Sequence, residues 1–124
     1  MSVCPNDAVS YDSYNLKKDE VDKIKKVKDY LLASYEEPMD MKKLVRLSGL
    51  NEWSLRKGFK LLYGMPVYKF LLSKRMEVAK ELLSHENLSV TEVAYHLGYG
   101  NHSNFINAFK KVMGFPPGKL KRGD

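Results

Sequence analysis

The sequence predicts an all-α protein of about seven helices, arranged as two helix-turn-helix subdomains joined by a long linker helix. Three observations carry this expectation. No segment sustains the period-2 alternation of a half-buried strand. Apolar residues recur instead at helical spacing, in stretches closed by glycine or proline. The chain also repeats itself at an offset of 49–50 residues.

Residues 1–15 (MSVCPNDAVSYDSYN) are polar and without period, as in a tail or linker remnant. From about Lys18 a helical face is formed by Val21, Ile24, Val27, Leu31 and Tyr35. Asp19, Glu20 and Asp22 open it ahead of Lys23, Lys25, Lys26 and Lys28, an order that suits the helix dipole. Pro38 follows. Asp40 is placed to cap a short helix, Met41–Ser48, that ends at Gly49. Asn51 caps the next, about Glu52–Tyr63, which stops at Gly64. Pro66 suits the first position of a long helix reaching about Ser84. Ser89-Val-Thr-Glu92 has the capping-box form and opens a short helix ended by Gly98. A further helix runs from about His102 to Met113 and stops at Gly114, and Pro116 and Pro117 introduce a last turn. The expected division is a tail (1–15), a first helix-turn-helix subdomain (16–65), the linker helix (66–84) and a second subdomain (85–124).

In the repeat, Leu55, Phe59, Lys60, Gly64 and Pro66 meet Phe105, Phe109, Lys110, Gly114 and Pro116. Upstream, Leu44, Val45 and Gly49 meet Val93, Ala94 and Gly98, and the one-residue difference falls in a turn. Each copy is a short helix, a glycine turn and a second helix, the pattern whose second helix enters a DNA major groove.

The outward faces of the second helices favour that use over a plain helical hairpin. At about 100° per residue, Leu55, Phe59 and Leu62 form one stripe, with Trp53, Arg56, Lys57 and Lys60 on the opposite face. Arginine binds guanine through two hydrogen bonds, lysines reach phosphates, and an indole offers apolar contact to a thymine methyl. In the second copy, Ser103, Asn107 and Lys110 lie opposite Phe105, Phe109 and Val112, with Asn104 and Lys111 to one side and Ile106 to the other. Asparagine reads adenine, and Ile106 is placed to meet a thymine methyl. His102 lies in the first turn, where a recognition helix points at base edges. Lys110, the counterpart of Lys60, is expected on the DNA backbone. A linker helix of about 19 residues spans roughly 28 Å, against about 34 Å between successive major-groove faces. One chain could then read two adjacent groove segments. The alternative is a protein-interaction module whose Trp53 face docks a partner.

Composition agrees with a nucleic-acid partner. The 124 residues carry a formal charge of +6, with −2 over residues 1–37 and +8 over 38–124. No stretch approaches the roughly 18–20 apolar residues of a membrane span, and the start lacks a secretory signal. Cys4 is the only cysteine, so a cytoplasmic location is the default. His85, His96 and His102 stand in no cluster at metal spacing, and no glycine-rich phosphate loop occurs. No catalytic residue, metal or cofactor is expected, and no enzyme.

At this point the residues resemble the AraC/XylS family of bacterial transcription regulators over roughly 22–122. VTEVAYHLGYGNHSNFINAFKKVMGFPPGKLKR (90–122) is similar to the family signature, with Ala94, Gly98, Tyr99, Phe105, Phe109, Lys110, Gly114 and Pro117 in place. LVRLSGLNEWSLRKGFKLLYG (44–64) resembles the first motif and RMEVAKELL (75–83) the linker helix. The resemblance implies two recognition helices in one monomer. Trp53, Arg56 and Lys57 in the first, and His102, Ser103 and Asn107 in the second, are the implied base readers. It also implies phosphate contacts from Ser54 and Asn104. Departures are Val45, where the family has a small alanine, Asn107, where some members have arginine, and Gly58 inside a recognition helix. GLNEWSLRKGF looks most like the branch that regulates siderophore uptake. The family further implies an activator that touches RNA polymerase, and a sensor domain that this length cannot hold. The chain is thus expected to be the C-terminal part of a longer regulator, the alternative being a stand-alone one; this piece is expected to be monomeric, with dimerisation of the parent left open.

Overall fold

The computed structural model describes residues 16–85 and 87–120; the expected tail and the last four residues lie outside them. The described residues form α1 (Lys18–Ala33), α2 (Met41–Ser48), α3 (Glu52–Tyr63), α4 (Val67–His85), α5 (Val90–His96) and α6 (His102–Met113), closed by a 3-10 turn (Pro117–Leu120). No strand occurs among them, and none of these helices is long and apolar enough to cross a membrane. The described residues divide into two compact units: a first drawn from residues 16–30 and 40–67, a second from 31–39, 68–85 and 87–120.

Local chemistry accounts for the helix boundaries. Asp40 accepts a hydrogen bond from the Lys42 N–H at 3.1 Å, and Asn51 from the Ser54 N–H at 2.8 Å. Ser89 and Glu92 close a reciprocal capping box at 3.0 and 2.8 Å. Each such cap stabilises its helix by about 1 kcal/mol. Asn101 caps α6, accepting from the Asn104 N–H at 2.9 Å, so the repeat extends to this position too. α2, α3 and α6 are each followed by a left-handed glycine: Gly49, Gly64 and Gly114. Pro66 stands immediately before α4 rather than inside it.

In the first unit, Ile24, Val27, Leu44, Leu55 and Phe59 are buried. Phe59 meets Tyr63 at a ring separation of 4.8 Å. Burial, and secondarily Asp29, pushes the Tyr63 phenol above its ordinary pKa. Ser48 is buried at the end of α2 with its hydroxyl used twice, donating to the Val45 carbonyl (3.2 Å) and accepting from the Leu50 N–H (3.1 Å). That clip fixes the turn from which α3 departs.

Gly58 has a steric role. A Cβ there would run into Ile24 Cδ1 of α1 and stand 3.2 Å from Leu16 Cδ2. Gly58→Ala, which in an open helix would gain about 1 kcal/mol of helix propensity, is therefore expected to destabilise the chain by about 1–3 kcal/mol. Urea denaturation followed by circular dichroism checks the sign, and a stabilised variant would show that α1 yields without cost.

The second unit is built on Met76, Ala79 and Leu83 of α4, Val93 and Ala94 of α5, Leu97, and Phe105 and Phe109 of α6. Tyr99, Phe105, Phe109 and Phe115 follow one another at ring separations of 5.6–5.8 Å. Tyr35 does not continue the face of α1, which ends at Ala33; it is half-buried against the second core. The reason is Arg75 of α4. Its guanidinium donates to the carbonyls of Tyr35 and Glu37, both at 2.7 Å, and lies 5.4 Å from the Tyr99 ring centroid. Segment 35–37 is thereby tied to α4 and brought over the turn after α5, where the Glu36 carbonyl meets Gly98.

Candidate nucleic-acid interface

On α3 the buried stripe is Leu55 and Phe59, both wholly inaccessible, with Leu62 half-buried. Trp53, Arg56, Lys57 and Lys60 are exposed, Trp53 at 62 %. An indole this large stays in water only at a free-energy cost that packing could have avoided. The Lys57 ammonium lies 5.8 Å from the Trp53 ring centroid, and Lys60 sits in the last turn, where a cation suits the helix dipole. The face thus carries three cations and one aromatic ring, with Lys57 against that ring.

Arg56 is not isolated on this face. Its Nε–H donates to Glu52 Oε2 at 2.8 Å, one helical turn back. With both side chains more than half exposed, the pair adds little to stability, but it draws Nε back to Glu52, the first residue at the N-terminal end of α3. That is the end at which recognition helices meet base edges.

On α6, His102, Ser103, Asn104, Asn107, Lys110 and Lys111 are exposed, while Phe105 and Phe109 are wholly buried. Two positions depart from the ideal helical period. Val112, expected in the core stripe, is 45 % exposed, and Met113 packs on the core instead. Beyond Gly114 the chain returns Phe115 onto Phe109, which draws the end of the stripe toward Met113. Ile106, considered as a thymine contact, is half-buried against the core, so much of its apolar surface is already used.

The N–H groups of Ser54 and Asn104 are taken by the caps Asn51 and Asn101. Any phosphate contact from these two residues therefore falls to the side chains, a half-buried hydroxyl and an exposed amide. His96 accepts from or donates to the Tyr35 hydroxyl at 3.1 Å, and His85 stands 3.9 Å from Glu81. Among the described residues no group of three or more His, Cys, Asp or Glu side chains could hold a metal ion.

Sequence reasoning missed Glu52, Ser48, Asn101 and Arg75 as contributors. Glu52 was visible as a carboxylate four residues before Arg56, and Asn101 as the repeat partner of Asn51. Arg75 gave no local signal, because its acceptors are carbonyls 38 and 40 residues away.

A family model described as a helix-turn-helix domain matches residues 44–123. The HTH-type transcriptional regulator GlxA of Rhizobium meliloti (strain 1021) is 31% identical over 90 residues, which are 73% of this chain and 28% of GlxA. The chain therefore spans less than a third of that relative's length. The crystal structure of a probable AraC family transcriptional regulator from Rhodopseudomonas palustris CGA009 is similar at a TM-score of 0.69 and 25% identity, over 80% of this chain and 94% of that one. The DNA-binding domain of AdpA, crystallised in complex with a target DNA, shares the fold at a TM-score of 0.73 and 23% identity, over 78% of this chain and 87% of that one. With two capped helix-turn-helix copies and a family match over most of its described residues, the chain belongs to the AraC-type helix-turn-helix family of transcription regulators.

Proposed function

We propose that this chain is the DNA-binding part of a longer, effector-responsive transcription activator that reads specific double-stranded DNA in the cytoplasm and contacts RNA polymerase. In this reading α3 and α6 each enter a major-groove segment. Trp53, Arg56 and Lys57 read bases from α3, and His102, Ser103 and Asn107 from α6. Ser54, Lys60, Asn104 and Lys110 hold the backbone. The observation that carries the proposal is the exposed α3 face, with Trp53, Arg56, Lys57 and Lys60 opposite the wholly buried Leu55 and Phe59. A solvated charged face needs no tryptophan, whereas a groove-reading one uses its apolar surface.

Selection from random duplex DNA, followed by salt-titrated binding to the enriched sequence, tests it. An enriched site of about two helical turns supports reading by both helices; a one-turn site leaves α6 as support. Lys60→Ala is expected to lower the salt slope of log K by about 0.9, and an unchanged slope removes Lys60 from the backbone contacts. The exposure of Trp53 also suits a face that docks a protein. Selection that enriches no sequence, with DNA binding insensitive to salt, favours that second reading.

A further inference from the structure

Resting on the proposed reading of DNA by α3, the geometry points to Glu52 as a specificity-determining residue that acts through Arg56. The carboxylate engages Nε of the guanidinium at 2.8 Å. Among the described residues the terminal NH2 groups of Arg56 make no hydrogen bond. Held through Nε, the guanidinium keeps both terminal NH2 groups available as a pair of parallel donors. That is the fork a guanine O6/N7 edge accepts. Glu52 is also the first residue of α3 and is itself exposed, so it confronts whatever approaches that end of the helix.

A phosphate meets a carboxylate there and is repelled. A guanine edge, which is neutral and rich in acceptors, meets an arginine already aimed. Without Glu52, Arg56 would be a mobile cation available to any phosphate within reach, and it would add affinity for every sequence alike. Glu52 thus converts a general DNA-binding charge into a base reader. Its cost is one unfavourable charge near the backbone.

Glu52→Gln keeps size and removes the charge. Binding is measured on the enriched duplex and on a scrambled duplex across a salt series, with the thermal midpoint recorded for both proteins. The variant is expected to bind the scrambled duplex more tightly, with a steeper salt slope, and the ratio of specific to scrambled affinity should fall roughly three- to tenfold. In an Arg56→Ala background the same Glu52→Gln change should leave that ratio unmoved. A ratio unchanged in Glu52→Gln, or the same fall in both backgrounds, overturns the inference while the DNA-reading proposal stands. A wild-type chain that enriches no sequence overturns both. A shifted midpoint with an unchanged ratio reduces Glu52 to a helix-end charge.

Discussion

Gly98→Ala is expected to destabilise the second unit by about 3 kcal/mol or more, through two effects that add. Gly98 has φ +89°, a backbone conformation that L side chains rarely adopt. A Cβ there would also be driven into the Glu36 carbonyl, a backbone group with no rotamer to yield. Nor can Glu36 simply retreat, because Arg75 holds the carbonyls on either side of it at 2.7 Å. Gly49 provides the internal control. Its φ is +76° but nothing lies within 4 Å of its virtual Cβ, so Gly49→Ala carries the conformational cost alone, about 1 kcal/mol. Thermal unfolding of the two variants separates the effects. The Gly98 variant should melt at least about 8 °C below the Gly49 variant; equal midpoints would show that segment 35–37 gives way freely.

Arg56→Ala is expected to weaken binding to the enriched duplex by about 1–3 kcal/mol, roughly five- to 150-fold, and to relax selection at one base pair. Stability should hardly move, because the ion pair lost among the described residues is exposed and within one helix. Affinity for scrambled DNA should fall far less, since in the free protein Arg56 is committed to Glu52 rather than offered to phosphates. Binding assays against a panel of single-base variants of the site measure the effect. A uniform loss across the panel would make Arg56 a backbone contact.

Much of the architecture was legible because its determinants are local. Asp40, Asn51 and Ser89 each sit within a few residues of the amides they cap, and the glycines after α2, α3 and α6 sit at helix ends. The outward face of α3 followed from the helical period alone, and Trp53 lies on it as that period requires. The period served less well at the end of α6, where Phe115 returns to the core and Met113, rather than Val112, turns inward. Contacts that join distant segments left no trace in the sequence. Arg75 looked like any helix-surface cation until its partners across 38 and 40 residues were known. Gly98 was recognised as a helix terminator, but the carbonyl that makes it indispensable comes from Glu36.

The clamp made by Arg75 bears on how such regulators can be recombined. Residues 31–39 precede the whole first helix-turn-helix motif in the chain, yet they belong to the compact unit that holds the second. The second motif is therefore not a cassette that begins at the linker helix. A chimera that imports residues from 68 onward brings Arg75 and Gly98 but leaves behind the backbone of Tyr35, Glu36 and Glu37 on which both depend. Swapping DNA specificity between relatives at the linker helix would then cut across this seam, even where every base-reading residue was transferred correctly. Exchange of the α6 surface alone, side chain by side chain, leaves that seam intact.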